Sequence, residues 1–190
     1  MSSSTLLRSA RLAGGLSQVE LAERTGLDQA VISRLESGAG VRFSTLRKLL
    51  STTGNSLYLA PTNGLSADQA AIEIRSHLKK SEIHSALRTL IQLNDDLLRE
   101  TGIVRGVLGL SEPSSTGNKV WDAGLAALVA WRLNDESLPL PGWVNKPERF
   151  LAKNHILTFD PADPLPEASD TPTEFLARGV LVFEETFRSV

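Results

Sequence analysis

A chain of 190 residues, 41 % apolar, is long enough for one ordinary domain or two small ones and too apolar to be disordered throughout. It has no cysteine, which excludes a disulfide framework and a thiolate metal site and fits a reducing, cytoplasmic setting. The net charge of -2 is unevenly spread: Arg8, Arg11, Arg24, Arg34, Arg42, Arg47 and Lys48 against Glu20, Glu23, Asp28 and Glu36 give residues 1–60 a net +3, which leaves -5 for the rest. A basic part followed by an acidic one is the division expected when the first part meets phosphates, and chance variation in solvated charge would give it too. The start, MSSSTLLRSARLAGG, lacks the apolar core of a secretory signal, and the longest apolar-rich run, 120–133, falls short of the roughly 20 residues that span a bilayer. No membrane role is expected.

Between Thr5 and Leu50 the apolar residues form four short helical stripes, at 6–12, 19–22, 31–35 and 46–50, separated by glycines. Gly14-Gly15 ends the first helix. Ser17 caps the second with Glu20 as its capping-box partner, Gly26 ends it, and Asp28 caps the third. After Gly54-Asn55 the alternation in SLYLA, 56–60, predicts a short strand, which would need a partner, and 61–65 read as a linker. Ser66 then caps a helix containing AIEIRSHLKK, and a longer helix follows over 82–99. Its Ile83, Leu90 and Leu97 recur every seven, a spacing that serves either an ordinary core helix or a helix paired across a dimer. SEPSSTGN, 111–118, has the composition of a flexible loop, and 119–134 is apolar almost all round and therefore buried. Beyond it prolines punctuate the chain, with strand candidates at 156–159 and 179–183. The predicted fold is mainly α: a helical domain with one short strand over 1–60, and a mostly helical domain with short strands over 66–190.

The segment LSQVELAERTGLDQAVISRLESG, 16–38, carries the chemistry. Two helices of about eight residues must cross steeply through a tight turn. Gly26 supplies a backbone conformation costly for other residues, and small Ala22 admits the later helix. Val19, Leu21, Ile32 and Leu35 are expected to lock the pair, leaving Gln29, Ala30, Ser33 and Arg34 outward on the N-terminal half of the third helix, the part that enters a major groove. Gln can bond adenine bidentately, Arg can bond guanine, and the Ala30 methyl can pack on thymine. Arg42 and Ser44, in the loop before the fourth helix, are placed to contact phosphates.

These residues resemble the Cro and phage-repressor class, the Xre-type helix-turn-helix, over about 55 positions: LSQ..LA, the TGL turn, VIS.LESG and the buttressing FSTLRKLLSTTG. The resemblance implies a lambda-repressor-like domain in which Gln18 anchors a phosphate, Gln29 and Arg34 reach base edges, and Ser33 lies near the backbone. The expected DNA-facing set is Ser17, Gln18, Asp28, Gln29, Ala30, Ser33, Arg34, Arg42 and Ser44. By the same resemblance Arg11 and Glu36 form a partly buried ion pair joining the first helix to the end of the third. The segments LPLPGWV, ERFL and TPTEFLARGVLVFEE resemble the C-terminal region of bacterial Xre-type proteins encoded beside toxins, often of the nucleotidyltransferase class.

The expected function is therefore a homodimeric repressor of a palindromic operator, the antitoxin of a toxin-antitoxin pair; the alternative is a ligand-responsive Xre-family regulator. The acidic, proline-punctuated segment 160–185 is expected to lie extended along a toxin, with Leu165, Phe175 and Leu176 as anchors. Trp121, Trp131, Trp143 and Phe175 read as core or as partner anchors. No catalytic residue, cofactor or metal is expected. His77 and His84 are seven apart rather than at one-turn clamp spacing, His155 stands alone, Asp95-Asp96 reads as a solvated face, and no nucleophile elbow, phosphate loop or dinucleotide fingerprint occurs.

Overall fold

Four helices follow from the capping and glycine signals of the first unit: α1 (Ser3–Ala13), α2 (Gln18–Thr25), α3 (Gln29–Glu36) and α4 (Phe43–Thr52). The computed structural model describes residues 3–57, 64–158 and 164–188, and the chain divides into two compact units, residues 1–59 and 60–190. The capping box of α2 is complete, with the Glu20 backbone N–H donating to Ser17 Oγ (3.1 Å) and the Ser17 N–H to Glu20 Oε2 (2.7 Å). The backbone bond from Ser17 is the main reason the Glu20 carboxyl is held below its ordinary pKa. Gly26 ends α2 at φ +69°, and the Leu27 N–H returns to Ala22 O, so the chain turns without leaving the last carbonyls bare.

Leu7, Leu21, Ile32 and Leu49 fill the first core. Two expectations change here. Val19 does not lock the helices: the inward arc of α2 is Leu21, Ala22 and Thr25, Val19 lies about 110° round the helix from its centre, and its side chain is 52 % exposed. Asp28 occupies the N-cap position of α3 with extended backbone, but its side chain makes no capping hydrogen bond. The expected strand at 56–60 lies partly outside the described residues. Of its described part, Leu57 packs on the first core rather than entering a strand.

The second unit comprises α5 (Ala67–Lys79), α6 (Ile83–Arg99), α7 (Gly102–Leu110), α8 (Lys119–Asn134) and a short α9 (Thr173–Leu176), with 3-10 turns between 142 and 149 and at 168–170 and 184–187. Strands β1 (His155–Ile156) and β2 (Val180–Leu181) pair in parallel, His155 opposite Val180 and Ile156 opposite Leu181. The described part of this unit is thus mostly helical with short strands, as expected. α8 runs through the core with Leu125, Leu128 and Val129 fully buried, so its all-round apolarity is explained within the domain. On α6, Leu90, Leu93 and Leu97 are buried in the same core while Ile83 and Leu98 are each 40 % exposed; of the seven-residue spacing, Leu90 and Leu97 serve the domain interior and Ile83 does not.

Several residues that read as solvated or free are structural. Leu65, placed in the linker, packs on the second core, and its N–H donates to Asp96 Oδ2 (2.7 Å). Asp96 is itself buried, accepting also from Gln92 and pairing with Arg99, so the Asp95-Asp96 pair is not a solvated face. Trp121, Trp143 and Phe175 are core residues. Phe175 meets Trp131 and Phe187 in an aromatic cluster, and Trp143 Nε1 donates to Gly109 O (3.0 Å). Phe175 is therefore no partner anchor. The segment around it is not extended, because Thr173–Leu176 is helical and Leu176 half-buried, while residues 160–163 lie outside the described residues.

The loop at 111–118 is ordered by a buried carboxylate. Asp122 accepts from Ser115 Oγ, Thr116 N and Thr116 Oγ1, each at 2.7 Å, so a polar composition that reads as flexible is tied down by one aspartate on α8. Asp122→Ala leaves the buried Thr116 donors without that acceptor, at a cost of about 2 kcal/mol. Urea unfolding should show that loss, and hydrogen exchange should show faster exchange of the Thr116 amide; an unchanged Thr116 rate would exclude Asp122 as the pin.

Candidate nucleic-acid interface

The outward face of α3 is held from behind by a chain of four side chains. Arg11 of α1 donates through Nε to Glu36 Oε1 (2.7 Å) and through a terminal nitrogen to Oε2 (2.9 Å), a two-pronged pair at the end of α3. Its remaining terminal nitrogen donates to Leu16 O (2.7 Å), tying α1 to the loop before α2. Glu36 Oε2 also accepts from Gln18 Nε2 (3.0 Å), and Gln18 Oε1 accepts from Gln29 Nε2 (2.8 Å). Glu36 is almost wholly covered, yet its pKa is lowered, chiefly by the hydrogen bond from Arg11, which outweighs the effect of burial. The Arg11 pKa is raised by the same bond.

Along α3, Gln29, Ala30 and Arg34 are exposed and Ser33 is half-buried, so the structure brings these four onto one accessible face. Arg34 Nε makes a long contact to Ala30 O (3.3 Å), and its side chain is exposed. Gln29 spends one amide hydrogen on Gln18, keeping an N–H and its carbonyl oxygen for a base edge. Ser17 and Asp28 are exposed at the starts of α2 and α3, and Arg42 and Ser44 are exposed at the start of α4. Gln18 is half-buried and engaged on both ends of its amide, so it joins the ion pair to Gln29 whatever else it touches.

Two features escaped the sequence. Lys48 reads as one more solvated basic residue, but its ammonium donates to Thr25 O (2.8 Å) at the C-terminal end of α2, where a cation complements the helix dipole. Phe43, between Arg42 and Ser44, is 67 % exposed, although an aromatic residue opening an amphipathic helix reads as core. No sequence signal separates it from the buried Leu46 and Leu49. Elsewhere, His77 Nδ1 lies 2.7 Å from Glu82 Oε2, and among the described residues no group of three or more His, Asp or Glu is arranged to hold a metal.

Comparison with protein families gives a match to the model described as helix-turn-helix over residues 7–59, which runs from within α1 through α4 and ends with the first unit. Residues 7–59 are a helix-turn-helix domain of the Xre, lambda-repressor-like kind. A domain of this kind marks a DNA-binding transcriptional regulator. No curated protein and no solved structure matched the chain. Among the described residues no helix is long and apolar enough to cross a membrane.

The depressed pKa of Glu36 sets a pH dependence for the helix-turn-helix domain. A carboxyl with a lower pKa folded than unfolded stabilises fully above its unfolded value, near 4.5, and that contribution is lost as pH falls through the folded value. Glu36→Gln should therefore destabilise the domain at neutral pH, by about 2 kcal/mol for the charge-assisted bonds to Arg11. The gap from the unaltered protein should close as pH drops below the ordinary carboxylate range. Thermal unfolding from pH 7 to pH 3 tests this; a gap independent of pH would mean that shape, not charge, joins α1 to α3.

Proposed function

We propose that the protein is a sequence-specific repressor that binds a palindromic operator as a homodimer, with α3 in the major groove. The carrying observation is the exposed face of Gln29, Ala30 and Arg34, whose first residue is oriented through Gln18 by the buried Arg11–Glu36 pair. In this reading Gln29 and Arg34 discriminate bases, and Ala30 meets a thymine methyl. Ser17, Gln18, Asp28, Ser33, Arg42 and Ser44 flank that face and set register on the sugar-phosphate backbone. Arg34→Ala should then cost roughly 1–3 kcal/mol on the preferred site and relax choice at one base pair, whereas Arg42→Ala should weaken all sequences alike and flatten the salt slope. Titrations on operator and random duplexes decide between the two roles; equal loss on both for Arg34→Ala would remove it from the base-reading set.

The second unit, in the same proposal, neutralises a toxin, making the protein an antitoxin that represses its own operon. Support comes from the -5 charge beyond residue 60 and from the resemblance carried by LPLPGWV, ERFL and the C-terminal segment. Within the acidic segment, the accessible side chains for such a partner are Leu165, 55 % exposed, and the exposed Glu167 and Asp170, since Phe175 is engaged inside. Co-expression of the full chain with the product of the neighbouring gene should restore growth, and Leu165→Asp should weaken rescue while leaving operator binding intact. The alternative, a ligand-responsive regulator, has one observation in its favour: a cavity of about 410 Å³ lined by Ser81, His84, Leu87, Thr158 and Thr186 among others. Failure of rescue together with a metabolite-dependent shift in operator affinity would select that alternative.

A further inference from the structure

α7 is a helix turned inside out. Its sequence, GIVRGVLGL, has a single charged residue, Arg105, and that residue points inward at 5 % exposure. There the guanidinium donates to Glu100 O, Leu98 O and Arg132 O and lies 3.1 Å from the Glu136 carboxylate. The opposite side carries Ile103, Val107 and Leu110, at 82, 38 and 58 % exposure, spaced one turn apart along one stripe. A surface helix ordinarily does the reverse, and an apolar stripe beside further apolar surface marks a covered face. Leu138, Pro139, Leu140 and Pro141 run alongside, closing a shallow groove of about 320 Å³ with this stripe.

The glycines of α7 separate into explained and unexplained. Gly109 faces the core, where a Cβ would lie 2.8 Å from Val129 Cγ1, and Gly102 opens the helix at φ +55°. Gly106 has neither reason: its φ is not positive, and a Cβ there would meet nothing within 4 Å. A mid-helix glycine costs about 1 kcal/mol relative to alanine. Gly106 lies in the groove among Ile103, Val107 and Leu110, where the absence of a side chain lets another backbone come close.

We propose that this face of α7 packs against the same face of a second copy of the chain, making the second unit a dimerisation module for the paired helix-turn-helix domains of the proposed repressor. Charge favours a second copy over a foreign chain. Although the unit is acidic overall, the carboxylates next in sequence to the face are paired within the chain: Glu112, two residues beyond Leu110, with Lys146, and Glu136, two residues before Leu138, with the inward Arg105. Two such faces meet without like-charge repulsion and leave no charge demanding an opposite partner. The residues are also self-complementary, with projecting Ile103 and Leu110 on each copy and a glycine recess at Gly106 to receive them. A nine-residue helix with one flanking strip offers less than the roughly 800 Å² each partner gives to a standard interface, so the dimer should depend on concentration and tighten when operator DNA holds both copies.

Sedimentation equilibrium of the full chain without DNA tests the proposal. The unaltered protein should pass from monomer to dimer across the micromolar range, and Ile103→Glu, a change at a solvent-facing position, should raise the dissociation constant by at least about tenfold. Gly106→Gln should weaken the dimer similarly while raising the melting temperature of the dilute monomer, because it improves helix propensity into open space; this separates interface loss from misfolding. An unaltered chain that stays monomeric, or an Ile103→Glu chain that dimerises as before, overturns the proposal. Binding to a duplex with a single half-site, which needs one domain only, should be equal for all three proteins. Its loss in all three would count against the DNA reading alone, and its loss only in the α7 variants would overturn the separation of dimerisation from DNA contact proposed here.

Discussion

The Arg11–Glu36 pair is the interaction on which the exposed face of α3 depends. A carboxylate removed from water at the end of α3 is tolerable only because a guanidinium meets both its oxygens, and the same carboxylate has capacity left for Gln18. Gln18 hands that order to Gln29, the first residue of α3. For the base-reading role proposed for Gln29 a fixed orientation matters, since a freely rotating amide presents donor and acceptor indiscriminately. The buried pair thus acts at a distance of two side chains, turning core electrostatics into a defined hydrogen-bonding pattern at the surface.

The second unit solves a related problem by different means. Four arginines, Arg105, Arg132, Arg149 and Arg178, are almost fully buried there, and they are served largely by neutral acceptors. Arg132 donates to Asn94 Oδ1 and stacks 3.5 Å from the Trp131 ring; Arg178 reaches Glu174 O, Val144 O and Asn145 Oδ1. Burial lowers the pKa of Arg132 and Arg178, most strongly opposed for Arg132 by Asp135. Wide planar cations with several donors join segments where helices and sheets supply few backbone bonds, as Arg178 joins α9 to residues 144 and 145. The aromatic and basic residues of the LPLPGWV and ERFL stretches serve the same end, with Trp143 closing on Gly109 O and Arg149 on Pro113 O.

α7 is consistent with its neighbours on the inside and anomalous only on the outside. Its arginine joins the buried set, and what remains for the surface is apolar. The helix cannot satisfy both the interior's need for donors and the solvent's preference for polar groups with one charged residue in nine positions. A covering partner removes the conflict.

The first unit was legible in the sequence because its signals are local. Capping box, turn glycine and apolar spacing each act within one or two helical turns, so Ser17, Glu20 and Gly26 announced α2 and its end, and Gln29, Ala30 and Arg34 could be placed outward. Val19 failed because four residues of stripe do not define the centre of a buried arc. In the second unit the sequence determined α8, whose apolarity admits one environment, and the approximate positions of the two strands. It could not determine Asp96, Asp122 or Phe175, since a carboxylate or an aromatic ring is read as solvated, ligating or buried only when its partners are known. Those partners, Leu65, Thr116 and Phe187, lie 31, 6 and 12 positions away, brought into contact by tertiary packing alone. The inward turn of Arg105 was likewise decided by carbonyls on α6 and α8, which no period within α7 encodes.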